Sequence, residues 1–344
     1  MQLFLIILVS QWLMSPTLVC DAFTTGAKRR VFRLHPELRQ GPLRVSREDM
    51  NEVLDVPNSS ESPSRIPSLE SDQFRHPLDQ RLTSLVRNAP FYGLAEETIR
   101  RAFPLIEQGV RLDLMASSVK VSPQQLPELH DLLIEACDVL NFSSTFVPEL
   151  YVQSNPQANA YTLAIQSRSN GKPDKEGDDY SSSVIVVTSA LVDRCTPREL
   201  QAVLGHELGH LKCEHALYLT LGNIASSPLS RLPVMGSRVD SALQDWRLAA
   251  EYSCDRAALL VAQDSKIVAN ALMKLFAGTS RYEFNTKAFI EQSLDYERQL
   301  ETANPLVRMS IERQQRTHPL PVRRVAELEK WFQSDEYRNL LPSQ

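Results

Sequence analysis

The sequence predicts an α+β fold, mainly α, with a small mixed sheet beside one central helix. Three observations predict it. Capped segments with leucines at helical spacing recur through the chain, three short strand-like runs cluster between residues 148 and 189, and the segment richest in histidine lies inside a stretch with a clear helix start. At 344 residues with 42% hydrophobic content the chain can bury a real core. A net charge of -5 and the lack of a basic cluster interleaved with aromatics argue against nucleic-acid binding. The five cysteines are scattered, with no Cys-x-x-Cys pair, so neither a disulfide framework nor an all-cysteine metal site is expected.

Residues 1–22 read as a signal peptide. The apolar run 3–14 is followed by Ser15-Pro16, and the small residues Cys20 and Ala22 occupy the positions a signal peptidase reads. The same uncharged stretch could instead remain as a membrane anchor. Residues 23–72 divide into a basic segment and a linker. Between Phe23 and Arg47 seven basic residues face one acid, Glu37, which is transit-peptide composition, whereas 51–72 is rich in Ser, Pro and acids and reads as disordered. A signal peptide followed by a basic segment matches the two-part import signal of secondary plastids. Secretion with a basic pro-segment, or anchoring through residues 3–20, is the alternative. The folded domain is assigned to 73–344.

Within that domain, Ser122-Pro123-Gln124-Gln125 reads as a capping-box start leading into the leucine-spaced helix that carries His130. That histidine is read as structural or partly exposed. Strand-like runs follow at 148–154 and 159–166, then a polar loop at 169–179 and a β-branched strand at 183–189. Thr196-Pro197-Arg198-Glu199 is a second capping box, so a helix starts at Pro197 and runs through the segment Gly205 to His215, "GHELGHLKCEH", which holds three of the chain's seven histidines. After residue 14 no apolar run is long enough to span a bilayer, and 216–237 breaks too early to do so. The domain is expected to be soluble or peripheral to a membrane.

On a helix, residues four apart differ by about 40° and about 6 Å, so His206 and His210 project from one face and can share an ion. In an H-E-x-x-H arrangement the intervening Glu207 takes a proton from a water that the metal activates. His215 lies nine residues after His206, about 180° around a continuous helix. With Cys at 213 no helix-breaking turn is signalled, so His215 is read as structural or surface rather than as a ligand. A catalytic zinc wants three protein ligands and one open position. The best source of the third is the helical stretch 246–263, where Glu251 and Asp255 stand four apart among alanines. Like charges at that spacing repel, and a cation explains them. Glu251 is the expected third ligand, and Asp255 is expected to orient a ligating histidine through its other N–H. Without a metal, the stretch reads as an ordinary amphipathic helix with a solvated acidic face, on which Arg256 could balance one of the two acids.

The chain resembles the gluzincin metallopeptidases of the HtpX and CAAX prenyl protease type, metallopeptidase family 48. The resemblance rests on H-E-x-x-H at His206–His210, the downstream E-x-x-x-D at Glu251–Asp255, the histidine at 215, and His318-Pro319 placed six residues before Arg324. "LQAVLGHELGHLKCEH" and "CDRAALLVAQD" are similar to a soluble-domain branch found in plants and cyanobacteria. HtpX-like members carry membrane-spanning hairpins around the catalytic helix, which this chain does not match. The resemblance implies a zincin-like metallopeptidase domain with its sheet beside the H-E-x-x-H helix. It also implies that His318 stabilises the oxyanion, that Arg324 supports the site or binds substrate, and that the "NAYTLAI" segment beginning at Asn159 is an edge strand for substrate backbone.

The expected function is a zinc metalloendopeptidase, with one Zn²⁺ per chain, Glu207 as general base and a peptide or protein as substrate. A catalytically silent zinc-binding chaperone or assembly factor on the same fold, and a non-peptidase hydrolase using the same water, are the alternatives. An intact Glu207 argues against the first.

Overall fold

The computed structural model describes residues 63–88, 92–143, 146–163, 183–217, 236–282, 284–314 and 320–341. Among these residues it is mainly helical with one small mixed sheet, as the sequence predicts.

The chain enters through 63–70, which composition assigns to the linker. These residues instead lie against the domain: Ile66 and Leu69 are buried in its core, and Ser64 pairs with Gln263 through both backbone groups. Two buried apolar side chains within a polar stretch suffice to dock it, and an averaged composition hides them. Two short helices follow, α1 (Ser71–Phe74) and α2 (Pro77–Arg87), the latter capped by the His76 ring. A long helix, α3 (Tyr92–Ser117), then leads into the edge strand β1 (Val119–Lys120).

The expected helix start at Ser122 is corrected. Residues 122–125 close a tight turn through reciprocal Ser122–Gln125 backbone bonds, Leu126 adopts a left-handed conformation at φ 62°, and α4 (Pro127–Val139) starts at the next proline. Proline disfavours the α conformation in the residue before it, so a helix begun at Pro123 cannot run through Leu126. His130 is half-buried on α4 beside Asp131.

The sheet contains β1, β2 (Glu149–Gln153), β3 (Ala160–Leu163) and β4 (Val184–Thr188) in the order β1-β2-β4-β3. The β2–β4 pair is parallel and the two outer pairs are antiparallel. All of β4 is buried, which explains its unbroken β-branched run. Val184 and Val186 meet Leu114 and Val110 of α3 on one face, whereas Ile185 and Val187 join the main core on the other. The polar loop at 169–179 lies outside the described residues.

A short helix, α5 (Ser189–Arg194), leads to α6 (Pro197–Lys212), whose capping box forms as expected between Thr196 and Glu199. This helix is almost wholly buried, packed between β3, α4, α7 (Gly236–Ala262) and α8 (Ser265–Ala277). The predicted stretch 246–263 is the later part of α7. Helices α9 (Thr286–Thr302), α10 (Pro305–Gln314), α11 (Pro321–Phe332) and α12 (Asp335–Leu340) complete the chain, and α11 packs on α7, α8 and α9. Among the described residues no helix is long and apolar enough to cross a membrane.

Candidate metal centre

Two glycines bring α6 and α7 together. A Cβ at Gly205 would lie 2.8 Å from Val261 Cγ2, and one at Gly209 would lie 2.8 Å from the Ala257 Cβ. Each glycine directly precedes a histidine of the motif, so the closest approach of the helices falls beside His206 and His210. Sequence reasoning passed over this, although glycines four apart in a helix are a signal of close packing.

Across that contact the Nε2 of His206 lies 3.6 Å from Glu251 Oε2, and the Nε2 of His210 lies 3.7 Å from Glu251 Oε1. Two ligands about 2.0–2.1 Å from a tetrahedral ion are about 3.4 Å apart, so these separations suit a shared cation. The remaining ring nitrogens are occupied. His206 Nδ1 faces Asp255 Oδ1 at 3.1 Å, and His210 Nδ1 faces His215 Nδ1 at 3.0 Å. Both imidazoles thus present Nε2 to the same carboxylate, and this donor set fits Zn²⁺.

The Cys254 thiol also lies near both imidazoles. It faces His215 Nδ1 at 3.5 Å, and burial pushes its pKa well above the ordinary thiol range, whereas the Glu251 carboxylate faces the Nε2 atoms of both imidazoles. The Glu251 carboxylate is therefore the better third donor.

Glu207 is buried beside the pair, and its Oε2 accepts a 2.7 Å hydrogen bond from the Thr162 hydroxyl of β3. Burial raises its pKa, and the His206 charge and the Thr162 bond offset that only in part. For His206, burial opposes the charged form, but the Asp255 and Glu251 carboxylates outweigh it and raise the ring to about 9.

Arg324 of α11 is buried behind Asp255, donating Nε–H to Oδ2 at 2.8 Å and Nη2–H to Oδ1, and its Nη1 lies 3.5 Å from Glu251. Arg324 therefore stands within reach of both acids of α7. Arg256 turns away, over the Trp331 ring and towards the Phe74 carbonyl, so it balances neither acid.

Two expectations change, both at the end of α6. The chain does turn after α6: Glu214 takes φ 53° without a glycine, and residues 215–217 form a further helical turn. His215 is consequently brought back against His210 and buried, not placed on the opposite face or on the surface. Asn159 precedes β3, where its backbone pairs with Thr188, and none of its described bonds reaches the histidines. The β3 residue that does touch the site is Thr162, which sequence reasoning did not single out. His318 lies outside the described residues.

A half-buried imidazole pair, a facing carboxylate and a buried acid beside a sheet edge are the arrangement expected of a helix-based, metal-dependent hydrolase. The family model of peptidase family M48 matches residues 123–332. The chain belongs to peptidase family M48. It is 40% identical over 279 residues to the plastoglobule-localized metallopeptidase 48, chloroplastic, of Arabidopsis thaliana, covering 79% of this chain and 76% of that one. Protease HtpX homologues from Moorella thermoacetica and Methanosarcina acetivorans are 32% and 29% identical over 111 and 107 residues, about a third of each chain. No solved structure matches.

Proposed function

We propose that this chain is a zinc endopeptidase in which His206, His210 and Glu251 hold one Zn²⁺ and Glu207 is the general base. The observation that carries the reading is the convergence of both Nε2 atoms on the Glu251 carboxylate, with Glu207 held alongside by Thr162. When bound, zinc supplies Lewis acidity and lowers the pKa of water towards about 7. Glu207 receives the proton of the attacking water and delivers it to the leaving amine, and its burial brings its basicity closer to neutral pH. Asp255 fixes the His206 ring with Nε2 forward, and Arg324 fixes Asp255. Strand β3 is paired only with β4 among the described residues, so its other edge is available to align an extended substrate backbone. His318 is retained as a candidate oxyanion donor.

The plastid is the proposed address, supported by the transit-like composition of 23–47 and by the chloroplastic relative. The test is zinc content and casein cleavage with and without chelator. Glu207→Gln should keep one zinc per chain and lose cleavage, whereas a zinc-free wild type or a fully active Glu207→Gln rejects the assignment.

A further inference from the structure

The back of the candidate centre contains a buried polar cluster that the peptidase reading does not use. Its hub is Asp79 of α2, which is fully buried and lies upstream of the residues matched by the family. Its Oδ1 accepts from the Trp246 indole at 2.9 Å and the Thr83 hydroxyl at 3.0 Å. Its Oδ2 accepts from the Ser253 hydroxyl at 2.7 Å and faces His215 Nε2 at 3.1 Å. Arg75 Nη1 spans both oxygens at 3.3–3.4 Å, and Arg75 Nη2 also caps the end of α6 by donating to the Cys213 carbonyl at 3.1 Å. Trp246, Thr83, Ser253 and Arg75 all donate to this carboxylate, which fixes it as an acceptor.

That arrangement dictates the hydrogens beyond it. With Asp79 accepting, His215 Nε2 carries a proton. Its Nδ1 lies 3.0 Å from His210 Nδ1, and a His210 that gives Nε2 to a cation carries its proton on Nδ1, so the His215 tautomer facing Asp79 through Nε2–H is the one whose Nδ1 accepts from it. Only one of two facing nitrogens can donate, so His210 holds its proton on Nδ1 and leaves Nε2 as the lone pair facing Glu251.

We propose that Asp79 and His215 form a positioning relay that sets the ring orientation and tautomer of His210 for metal binding. His206 has its own support in Asp255 and Arg324, so the two imidazoles are oriented from opposite sides, one by α7 and α11 and the other by α2. The inference rests on His210 being a metal ligand.

The relay makes a specific prediction for Asp79→Asn. The Trp246 N–H is an obligate donor, so the amide oxygen stays on its side and the amide N–H₂ faces His215. His215 Nε2 must then accept, its proton moves to Nδ1, and the bond to His210 pits donor against donor unless His210 moves its proton to Nε2.

Zinc affinity of the full-length chain, measured by competition with a chromophoric chelator, should fall about 10- to 100-fold in Asp79→Asn and similarly in His215→Leu. The double variant should lose no more than the worse single one, because both act through one path. Unchanged affinity in Asp79→Asn, or losses that multiply in the double variant, overturns the relay. Should either variant fail to fold, the imidazole ¹⁵N spectrum of zinc-loaded wild type decides. A proton on His215 Nε2 alone is expected, and one on its Nδ1 refutes the proposal. Wild type that binds no zinc rejects the metal reading and the relay together, whereas wild type that binds while the variants bind equally rejects only the relay.

Discussion

Gly209 and Cys254 meet almost backbone to backbone: a Cβ on residue 209 would sit 3.1 Å from the Cys254 Cα and 2.8 Å from the neighbouring Ala257 Cβ. The spacing of α6 from α7 sets how far Glu251 stands from the two imidazoles. Gly209→Ala would gain about 1 kcal/mol of helix propensity, but the opposing atoms are main chain or methyl and cannot swing aside, so overpacking of about 1–3 kcal/mol should win. The variant should melt several degrees lower and bind zinc at least about 10-fold more weakly, as expected when ligand-supporting geometry is lost. A Gly209→Ala protein as stable as wild type with full zinc affinity would show that this approach does not set the site.

Thr162 links the sheet edge to the candidate base. Its hydroxyl donates to Glu207 Oε2 and also lies 3.3 Å from the Glu207 carbonyl. Thr162→Val preserves shape and removes the donor, so Glu207 keeps its place on α6 but loses the contact that aims its carboxylate. Turnover on a casein peptide should fall on the order of 10-fold, less than the roughly 100-fold or more expected for loss of the proton-transfer group itself, with zinc content unchanged. Thr162→Ser should restore most of it. Equal kcat in Thr162→Val and wild type removes Thr162 from the positioning machinery.

Arg324 is the cation that Asp255 and Glu251 share when no metal is bound. Lysine in its place keeps the charge but cannot make the paired Nε–H and Nη–H bonds to one carboxylate. Arg324→Lys should lower zinc affinity about 10-fold through Asp255 and His206. Arg324→Met should cost about 3–5 kcal/mol, because a buried carboxylate is left without its partner. Urea unfolding of chelator-treated protein reads the second effect, and a Met variant as stable as wild type contradicts it.

The residues of the front of the site were legible because their signal is local. His206 and His210 share a face by helical spacing alone, the Thr196 capping box started their helix correctly, and the like-charged Glu251–Asp255 pair does face both histidines, with Arg324 as the cation beside it. The back of the site was not legible. Asp79 reaches His215 across 136 residues of sequence, and Thr162 reaches Glu207 across 45, contacts that no periodicity encodes. The turn at Glu214 was missed because glycine is the usual sign of positive φ, and here the chain adopts it without one, held by the Arg75 bond to the Cys213 carbonyl. Local chemistry likewise misled at Ser122, where a good cap is overridden by the second proline four residues after Pro123.

Acid should reveal Asp79 independently of metal. Burial alone would raise its pKa, but His215 and Arg75, with the Ser253 bond, outweigh burial and hold it well below the usual carboxylate range. The folded pKa thus lies below the unfolded value of about 3.9, so the unfolded chain takes up the proton first as pH falls. The stability Asp79 contributes is therefore fully present above about pH 5 and is lost progressively below about pH 4. In Asp79→Asn that dependence disappears at this position. With chelator present, the variant should be about 3 kcal/mol less stable than wild type at pH 7, the cost of leaving Arg75 without its buried partner. Urea unfolding from pH 7 to pH 3 should show the gap between the two proteins narrowing on the acid side. The slope that remains in the variant comes from other carboxylates held low, among them Asp255, Glu327 and Glu149, in each of which burial acts upward and neighbouring cations and hydrogen bonds outweigh it. A gap that stays constant, or widens as the pH falls, would mean that Asp79 is not held ionised in the folded protein.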